Sequence, residues 1–212
     1  PSFFSLLGLW FVVEKIHSRS FISIMTSRKK VDFKRFQFGF IIWSIISILI
    51  FSLEILIHPA DYEFNFNYLK FLILFSISII MIPVQSILEE LIFRGYLMQG
   101  LSSFFKNRIM PLFTTSIIFG LLHILNPEIQ KIGYGLLIYY IGTGIFFGIV
   151  TLMDEGVELS SGFHASNNLV ASLLVTADWT AFETYSIFKF IGNPSFSKEV
   201  LLYVFIIYPL II

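Results

Sequence analysis

The sequence predicts an all-α protein, a polytopic transmembrane helical bundle with about six to seven membrane segments and a buried polar site. Composition is the first observation behind this prediction: of 212 residues, 56% are hydrophobic and only 13% are charged, and the mean hydropathy is +0.83. In ordinary soluble domains about a quarter of the residues are charged. A chain this apolar is expected to fold in a lipid bilayer, where helices satisfy their own backbone hydrogen bonds.

Long apolar runs are the second observation, because a helix needs about 20 mostly apolar residues to cross the hydrocarbon core. Residues 3–13 are too short to span and are interpreted as the remnant of a first helix. Because the sequence starts and ends within apolar stretches, both ends are expected to be truncated. Further apolar runs lie at residues 36–57, from Tyr68 onward, 111–125, 133–153, 162–176 and from about Val200. Residues 95–110 are interpreted as a short amphipathic connection. Residues 1–212 are thus expected to form a single integral membrane domain.

Charge is distributed unevenly along the chain. Residues 14–35 carry half of the 14 basic side chains, namely Lys15, Arg19, Arg28, Lys29, Lys30, Lys34 and Arg35, against Glu14 and Asp32. The positive-inside rule places this segment in the cytoplasm, which predicts a multi-pass protein of the cell membrane. The formal net charge is zero, so nothing indicates a nucleic-acid partner. The chain has no cysteine, which excludes disulfides, iron–sulfur clusters and thiolate zinc sites.

Two glutamates and an arginine lie within the apolar stretch 87–97. A charged side chain near the bilayer centre costs about 2.5–3.5 kcal/mol, so such groups usually face a protein interior or a cavity. Glu90 and Arg94 are four residues apart on one helix face, which predicts an ion pair. Glu89 lies about 100° around the axis and is left free for proton chemistry. An ion-paired helix end at the membrane surface is the alternative, and Pro83 is expected to kink the helix just before the acidic pair.

Two further pairs with the same spacing occur in later apolar runs. Phe119 and His123 share one helix face, and His164 and Asn168 share another. Histidine and asparagine supply donors of the kind that hold a developing oxyanion, but a packing histidine or interhelical hydrogen bonds would explain each pair as well. Each of three successive apolar segments thus carries polar side chains suited to acid–base chemistry. This combination favours one shared site. Simple alternation of spans would place His123 and His164 toward opposite membrane faces, so a shared site requires kinked, tilted or re-entrant helices.

These three elements resemble the motifs of the CPBP family, the CAAX prenyl protease and bacteriocin-processing intramembrane proteases. The family pattern is E-E-x-x-x-R, F-x-x-x-H and H-x-x-x-N, and in this chain it reads Glu89-Glu90…Arg94, Phe119…His123 and His164…Asn168. Each motif is weak alone, but three in order, each within an apolar run, are a strong signal. The resemblance covers residues 83–176, the expected catalytic motif region.

The resemblance implies an intramembrane endopeptidase that hydrolyses a peptide bond of a membrane-anchored protein or peptide, in contact with membrane lipid. Carried over onto this chain, the catalytic residues are Glu89 and His123 for the water, His164 and Asn168 for the oxyanion, and Glu90 with Arg94 to support the site, with Phe119 as a wall. The chemistry is consistent with this assignment. A carboxylate and an imidazole can activate a water, and neutral imidazole and amide donors can meet the charge that forms on the carbonyl oxygen.

Metal dependence and two other functions stay open. His123, His164 and Glu89 would form a zinc ligand set with one position left for water. No H-E-x-x-H motif and no cysteine is present, so a mechanism without a cofactor is favoured over a zinc-dependent protease. A proton-coupled transporter would also bury glutamates and histidines, although no inverted repeat is visible. A non-catalytic membrane scaffold or immunity protein would keep the same residues as a polar core.

Overall fold

A computed structural model describes residues 2–181, 183–194, 196 and 201–212, and most of them are helical. The α-helices are α1 (Ser2–Phe11), α2 (Ile22–Met25), α3 (Phe33–Ile57), α4 (Tyr68–Glu90), α5 (Met98–Phe105), α6 (Ile109–Leu121), α7 (Pro127–Ile132), α8 (Leu137–Asp154), α9 (Glu158–Leu174) and α10 (Tyr208–Ile211). π-helical turns lie at Val12–Ile16, Leu91–Leu97 and Tyr203–Ile207, and 3-10 turns at Pro59–Asp61 and Tyr134–Leu136. The predicted helical membrane bundle is confirmed.

Within the described residues, three helical segments are long and apolar enough to cross a membrane: Phe33–Ile57, Tyr68–Phe105 and Tyr134–Asp154. Helix α6 is apolar but shorter, with 13 residues. Large apolar side chains such as Leu49, Leu56 and Ile80 are exposed on α3 and α4, as expected of surfaces that face lipid. The chain is therefore a membrane protein, and the count of six to seven segments stays a prediction. The expected start of the last apolar run, Val200, lies outside the described residues.

Residues 95–110, interpreted from the sequence as a connection, largely continue the preceding helix. Helix α4, the π-helical turn Leu91–Leu97 and α5 form one helical segment from Tyr68 to Phe105. A π-helical turn accommodates an extra residue within a helix, and such turns are frequent at functional sites. The segment ends at Lys106, whose left-handed backbone (φ 52°) turns the chain toward α6.

Helix α9 lies at the centre of the bundle, packed against α3, α4 and α8. Ten of its 17 residues are buried, and many of them are small or polar. A Cβ atom on Gly162 would collide with the backbone carbonyl of Phe36, so glycine is what allows α3 to approach this closely. Two serines of α9 bond to neighbouring helices: Ser166 to Ser44 on α3 at 2.8 Å, and Ser160 to Thr151 on α8 at 2.9 Å. Helix α9 can therefore be polar inside a membrane domain, because other helices surround it.

An aromatic cluster fills the space between α3, α8, α9 and the C-terminal helix. It consists of Trp43, Phe146, Phe147, Phe163 and Tyr208, each at most 3% exposed. Neighbouring ring centroids lie 4.4–5.8 Å apart, within the range of favourable aromatic pairs. The ring of Phe147 also stacks on His164 at 4.9 Å. Phe147 therefore belongs to the aromatic cluster and also contacts His164, a polar residue of α9.

A small three-stranded sheet was not predicted from the sequence. Strand β1 (Tyr62–Phe64) pairs antiparallel with β3 (Phe188–Phe190), and β3 pairs in parallel with β2 (Val175–Thr176). Strands of two or three residues are too short for an alternating pattern to be recognised. Because β1 shortly precedes α4 and β2 directly follows α9, the sheet links the ends of the two helices that carry most of the polar motifs.

Candidate active site

Glu90 and Arg94 form a buried ion pair, which confirms the pairing predicted from their spacing. Arg94 Nη1 donates to Glu90 Oε1 at 2.9 Å, and both side chains are 0% exposed. Arg94 Nη2 donates to the carbonyl oxygen of Gly144 on α8 at 3.0 Å. The guanidinium carbon also lies 4.6 Å from the ring centre of Phe119 and 5.6 Å from that of Phe147. A buried cation that would otherwise be costly is thus compensated by a carboxylate, a carbonyl and aromatic faces.

His164 on α9 is the second partner of Glu90. Its Nδ1 lies 2.9 Å from Glu90 Oε1, and because an ionised carboxylate can only accept, Nδ1 donates. The other ring nitrogen, Nε2, lies 3.7 Å from Oε2 of Glu89. The imidazole is therefore held between the two adjacent glutamates. Its contact with Glu90 joins α9 to the end of α4.

Glu89 is the accessible member of the acidic pair. Its side chain is 27% exposed, whereas that of Glu90 is 0% exposed. Gln85, one helical turn earlier, donates from Nε2 to Glu89 Oε1 at 3.2 Å. The two carboxylates consequently differ in environment although they are adjacent in sequence, because a step of about 100° around the helix turns one inward and leaves the other open.

His123 lies just beyond the end of α6. Its Nδ1 is 2.8 Å from the carbonyl oxygen of Phe119, so this nitrogen donates and Nε2 of the neutral ring keeps its lone pair. The ring of Phe119 lies 4.9 Å from that of His123 and 5.9 Å from that of His164. The structure therefore brings both histidines against the same phenylalanine.

The turn between α5 and α6 explains why these groups lie at one depth. At a rise of 1.5 Å per residue, Glu89 lies about 24 Å along the helix before Phe105, where α5 ends. His123 lies about 21 Å along the chain after Ile109, where α6 starts. The chain reverses at residues 106–108, so both distances are counted from the same turn. Helix α6 ends after 13 residues, before it could complete a span. The alternation of full spans that would separate His123 from His164 therefore does not apply.

Asn168 lies one helical turn after His164 and is oriented by a chain of hydrogen bonds. Its Nδ2 donates to Ser86 Oγ at 3.4 Å, and its Oδ1 accepts from Asn167 Nδ2 at 3.2 Å. Asn167 Oδ1 in turn accepts from the indole of Trp43 at 3.1 Å. These contacts direct the NH₂ group of Asn168 toward α4, the helix that carries Glu89.

Residues that sequence patterns did not single out hold His123 in place. The ring of Tyr140 stacks on that of His123 at 4.1 Å and 18°, and the Tyr140 hydroxyl donates to Glu128 Oε1 at 2.5 Å. Glu128 also accepts from the side chain of Asn126 and from the backbone N–H of Ala181, both at 3.0 Å. The only signal in the sequence was an acidic residue directly after Pro127, a pattern that is also typical of an ordinary helix start.

Comparison with known proteins supports the resemblance seen in the sequence motifs. The type II CAAX prenyl endopeptidase Rce1-like family matches residues 71–170, a range that contains all three motifs. The chain is therefore similar to this family over the 100 of its 212 residues that carry the motifs. It is also similar to the uncharacterized protein YyaK of Bacillus subtilis (strain 168), with 34% identity over 177 residues, which is 82% of this chain and 58% of that relative. The chain thus spans less than two thirds of this relative's length. No solved structure matches the chain.

The zinc ligand set that the resemblance to CAAX proteases suggested does not converge in this arrangement. Among the described residues, no three histidine or acidic side chains are placed to hold one metal ion. His123 and His164 each use Nδ1 in a hydrogen bond, which leaves one nitrogen on each ring. As placed in this structure, His123, His164 and Glu89 therefore do not form a three-ligand metal site.

Proposed function

We propose that this protein is an intramembrane endopeptidase that hydrolyses a peptide bond of a membrane-anchored protein or peptide. The match of residues 71–170 to the CAAX endopeptidase family supports this class of reaction. The observation that carries the proposal is the unequal environment of two adjacent glutamates: Glu90 is neutralised in the interior, and Glu89 is accessible beside His164. An accessible carboxylate without a paired guanidinium is suited to act as a general base.

Water activation is assigned to Glu89 and His123. Because Nδ1 of His123 donates to the Phe119 carbonyl, Nε2 is the nitrogen that can accept a hydrogen bond. A water held by the Glu89 carboxylate and this nitrogen loses a proton as its oxygen attacks the carbonyl carbon. The new C–O bond forms, the C–N bond breaks, and the proton passes to the leaving nitrogen.

Oxyanion stabilisation is assigned to His164 and Asn168. A neutral His164 with its hydrogen on Nδ1 would have none on Nε2, so it could not donate to an oxyanion. This role therefore requires a ring with a hydrogen on both nitrogens, in which Nδ1–H donates to Glu90 and Nε2–H is available to the oxyanion. The Nδ2–H group of Asn168 supplies the second donor. The neutral imidazole expected from the sequence is replaced in this proposal by a charged one.

Tyr140 and Glu128 act in this proposal as positioning residues. Stacking against Tyr140 fixes the plane of the His123 ring, and the hydrogen bond to Glu128 fixes Tyr140. Glu128 is itself held by Asn126 and by the backbone at Ala181. A general base must stay within hydrogen-bond reach of the water, so a mobile ring would lower the rate of the chemical step.

Cleavage by the purified protein tests the proposal. The protein is reconstituted in liposomes with fluorogenic membrane-anchored peptides, both prenylated and unprenylated, and wild type is compared with Glu89→Gln. We expect cleavage of at least one substrate and a loss of about 10²-fold or more in the variant, because an amide cannot take up the proton. Thermal unfolding should be unchanged, since Glu89 is not part of the buried ion pair.

Gln85→Leu is the matched control. It removes the hydrogen-bond donor to Glu89 but keeps the carboxylate, so turnover should stay within a few-fold of wild type. Wild-type turnover in both Glu89→Gln and His123→Ala would refute the proposed mechanism. Loss of activity with a chelator, restored by added zinc, would refute the metal-free form of it.

A further inference from the structure

A cavity of about 430 Å³ lies apart from the candidate active site, between the chain that follows α1 and the helical residues 96–101. Its walls are apolar at Val13, Ile24, Leu97 and Leu101, and its polar lining includes His17 and Arg19. We propose that this cavity binds an anionic phospholipid, with the headgroup phosphate on Arg19 and an acyl chain along the apolar wall. The proposal goes beyond proteolysis and does not depend on it.

Arg19 is a cation without a counter-ion in the described part of the chain. Its Nη2 donates to Gln99 Oε1 at 3.1 Å, but no described carboxylate pairs with it. Arg28, Arg35 and Arg94, by contrast, each pair with at least one carboxylate. A guanidinium has five N–H donors, and its geometry fits two oxygens of a phosphate. Since Gln99 occupies only part of that capacity, Arg19 can bind a phosphate at the rim of the cavity.

The cavity also has room for an apolar chain. Gly100 lies on its lining, and a Cβ atom built on Gly100 would meet nothing within 4 Å. On the opposite side, Ile24 is buried within a small apolar cluster that includes Val13. An apolar surface next to an unpaired cation is complementary to a phospholipid, which joins an acyl chain to a charged headgroup.

The position of the cavity along the chain points to the same ligand. Helix α1 exposes Phe3, Phe4 and Phe11 by 62%, 76% and 53%, and it leads directly into the basic segment 14–35. The cavity thus lies where a lipid-facing helix meets the side of the membrane that the positive-inside rule assigns to the cytoplasm. Lipids of that leaflet carry negative charge, and basic pockets beside membrane helices there bind anionic headgroups.

The cavity borders the helical turn that carries Arg94. Tyr96 and Leu97 line the cavity and belong to the π-helical turn Leu91–Leu97, and His17 Nε2 bonds to the Tyr96 hydroxyl at 2.8 Å. Gly95, next to Arg94, packs so closely on the Ile24 carbonyl that a Cβ would collide with it. Lipid bound in the cavity would therefore stabilise this turn and raise the unfolding temperature of the protein.

Lipid titration of the full chain tests the proposal. Protein in phosphatidylcholine nanodiscs is compared with protein in nanodiscs of increasing phosphatidylglycerol content, with thermal unfolding and native mass spectrometry as readouts. We expect the unfolding temperature to rise with phosphatidylglycerol and the anionic lipid to be retained. Arg19→Gln and Gly100→Leu should each weaken the apparent affinity by about tenfold.

The variants separate binding from folding. Gly100→Leu keeps every charge, fills the cavity and favours the helix, so a loss of lipid binding cannot come from unfolding. Arg108→Gln is the matched control, because it removes the same charge from the exposed turn outside the cavity. An equal loss in Arg108→Gln, an equal stabilisation by inorganic phosphate alone, or no response to phosphatidylglycerol would overturn the proposal.

Discussion

His164 and Arg94 donate to the same oxygen of Glu90, each at 2.9 Å. One buried carboxylate oxygen thus connects the π-helical turn that carries Arg94 with helix α9. The two groups that pair with the Glu90 carboxylate, Arg94 and His164, are themselves buried. Loss of one partner would therefore leave the others with an uncompensated buried charge.

Arg94→Met is expected to destabilise the protein by about 3–5 kcal/mol, because it leaves the Glu90 carboxylate buried without its guanidinium. Unfolding of the purified variant in detergent measures the change. The double variant Glu90→Gln/Arg94→Met should recover part of the loss, and a double variant no more stable than the single one would contradict the prediction. Lys189→Gln, which breaks the exposed contact of Lys189 with Asp178 at 2.7 Å, is the control and should have no measurable effect.

Tyr140 variants are expected to change the rate of cleavage rather than substrate binding. Tyr140→Leu removes the ring that stacks on His123 and should lower kcat by about 10²-fold, since small displacements of a catalytic group have effects of this size. Tyr140→Phe keeps the ring but loses the hydrogen bond to Glu128, so its kcat should fall by less. Steady-state kinetics on the anchored peptides provide the measurement. Equal kcat in wild type and both variants would remove Tyr140 from the mechanism.

Asn168→Ala is expected to lower kcat by about 10²–10³-fold with little change in KM, as loss of one oxyanion donor does in other hydrolases. Asn168→Asp should be as inactive as Ala, because it replaces the NH₂ donor with an acceptor. Asn167→Ala, which removes only the contact that orients Asn168, should give an intermediate loss. Circular dichroism confirms the fold of each variant, and an active Asn168→Asp enzyme would argue against the oxyanion role.

Gly162→Leu is expected to destabilise the bundle by about 3 kcal/mol or more, because the new side chain must push α3 away from α9 at Phe36. The yield of monodisperse protein and its unfolding temperature measure the effect. Gly8→Leu is the control, since a side chain on Gly8 of α1 meets nothing within 4 Å. Similar behaviour of the two variants would mean that the close approach of α3 and α9 does not contribute to stability.

The parts of the site that sequence could predict are those set by local helix geometry. Glu90 and Arg94 are one helical turn apart, so their pairing follows from spacing alone. The same argument separated Glu89 from Glu90. Composition was sufficient for the membrane bundle, because so few charged residues cannot cover a soluble surface.

Contacts between distant segments could not be predicted in this way. Glu90 and His164 are 74 residues apart, and no spacing rule relates them. The stacking of Tyr140 on His123 depends on α6 ending early, which hydropathy alone did not reveal. The π-helical turn Leu91–Leu97 and the three-stranded sheet were missed for a related reason: each is too short to produce its own periodic pattern.

The short turn at residues 106–108 has a consequence for changes in chain length. One residue inserted between Arg94 and the end of α5, or between the start of α6 and His123, would rotate the helix beyond it by about 100° and shift it by about 1.5 Å. The insertion would therefore change the position of Glu89 relative to His123. Asn107 contacts only the backbone of Phe105 and Met110 among the described residues, so the turn can be rebuilt around an extra residue. We therefore expect insertions and deletions to be tolerated in this turn. In the helical segments on either side of it, the same changes should disrupt the candidate active site.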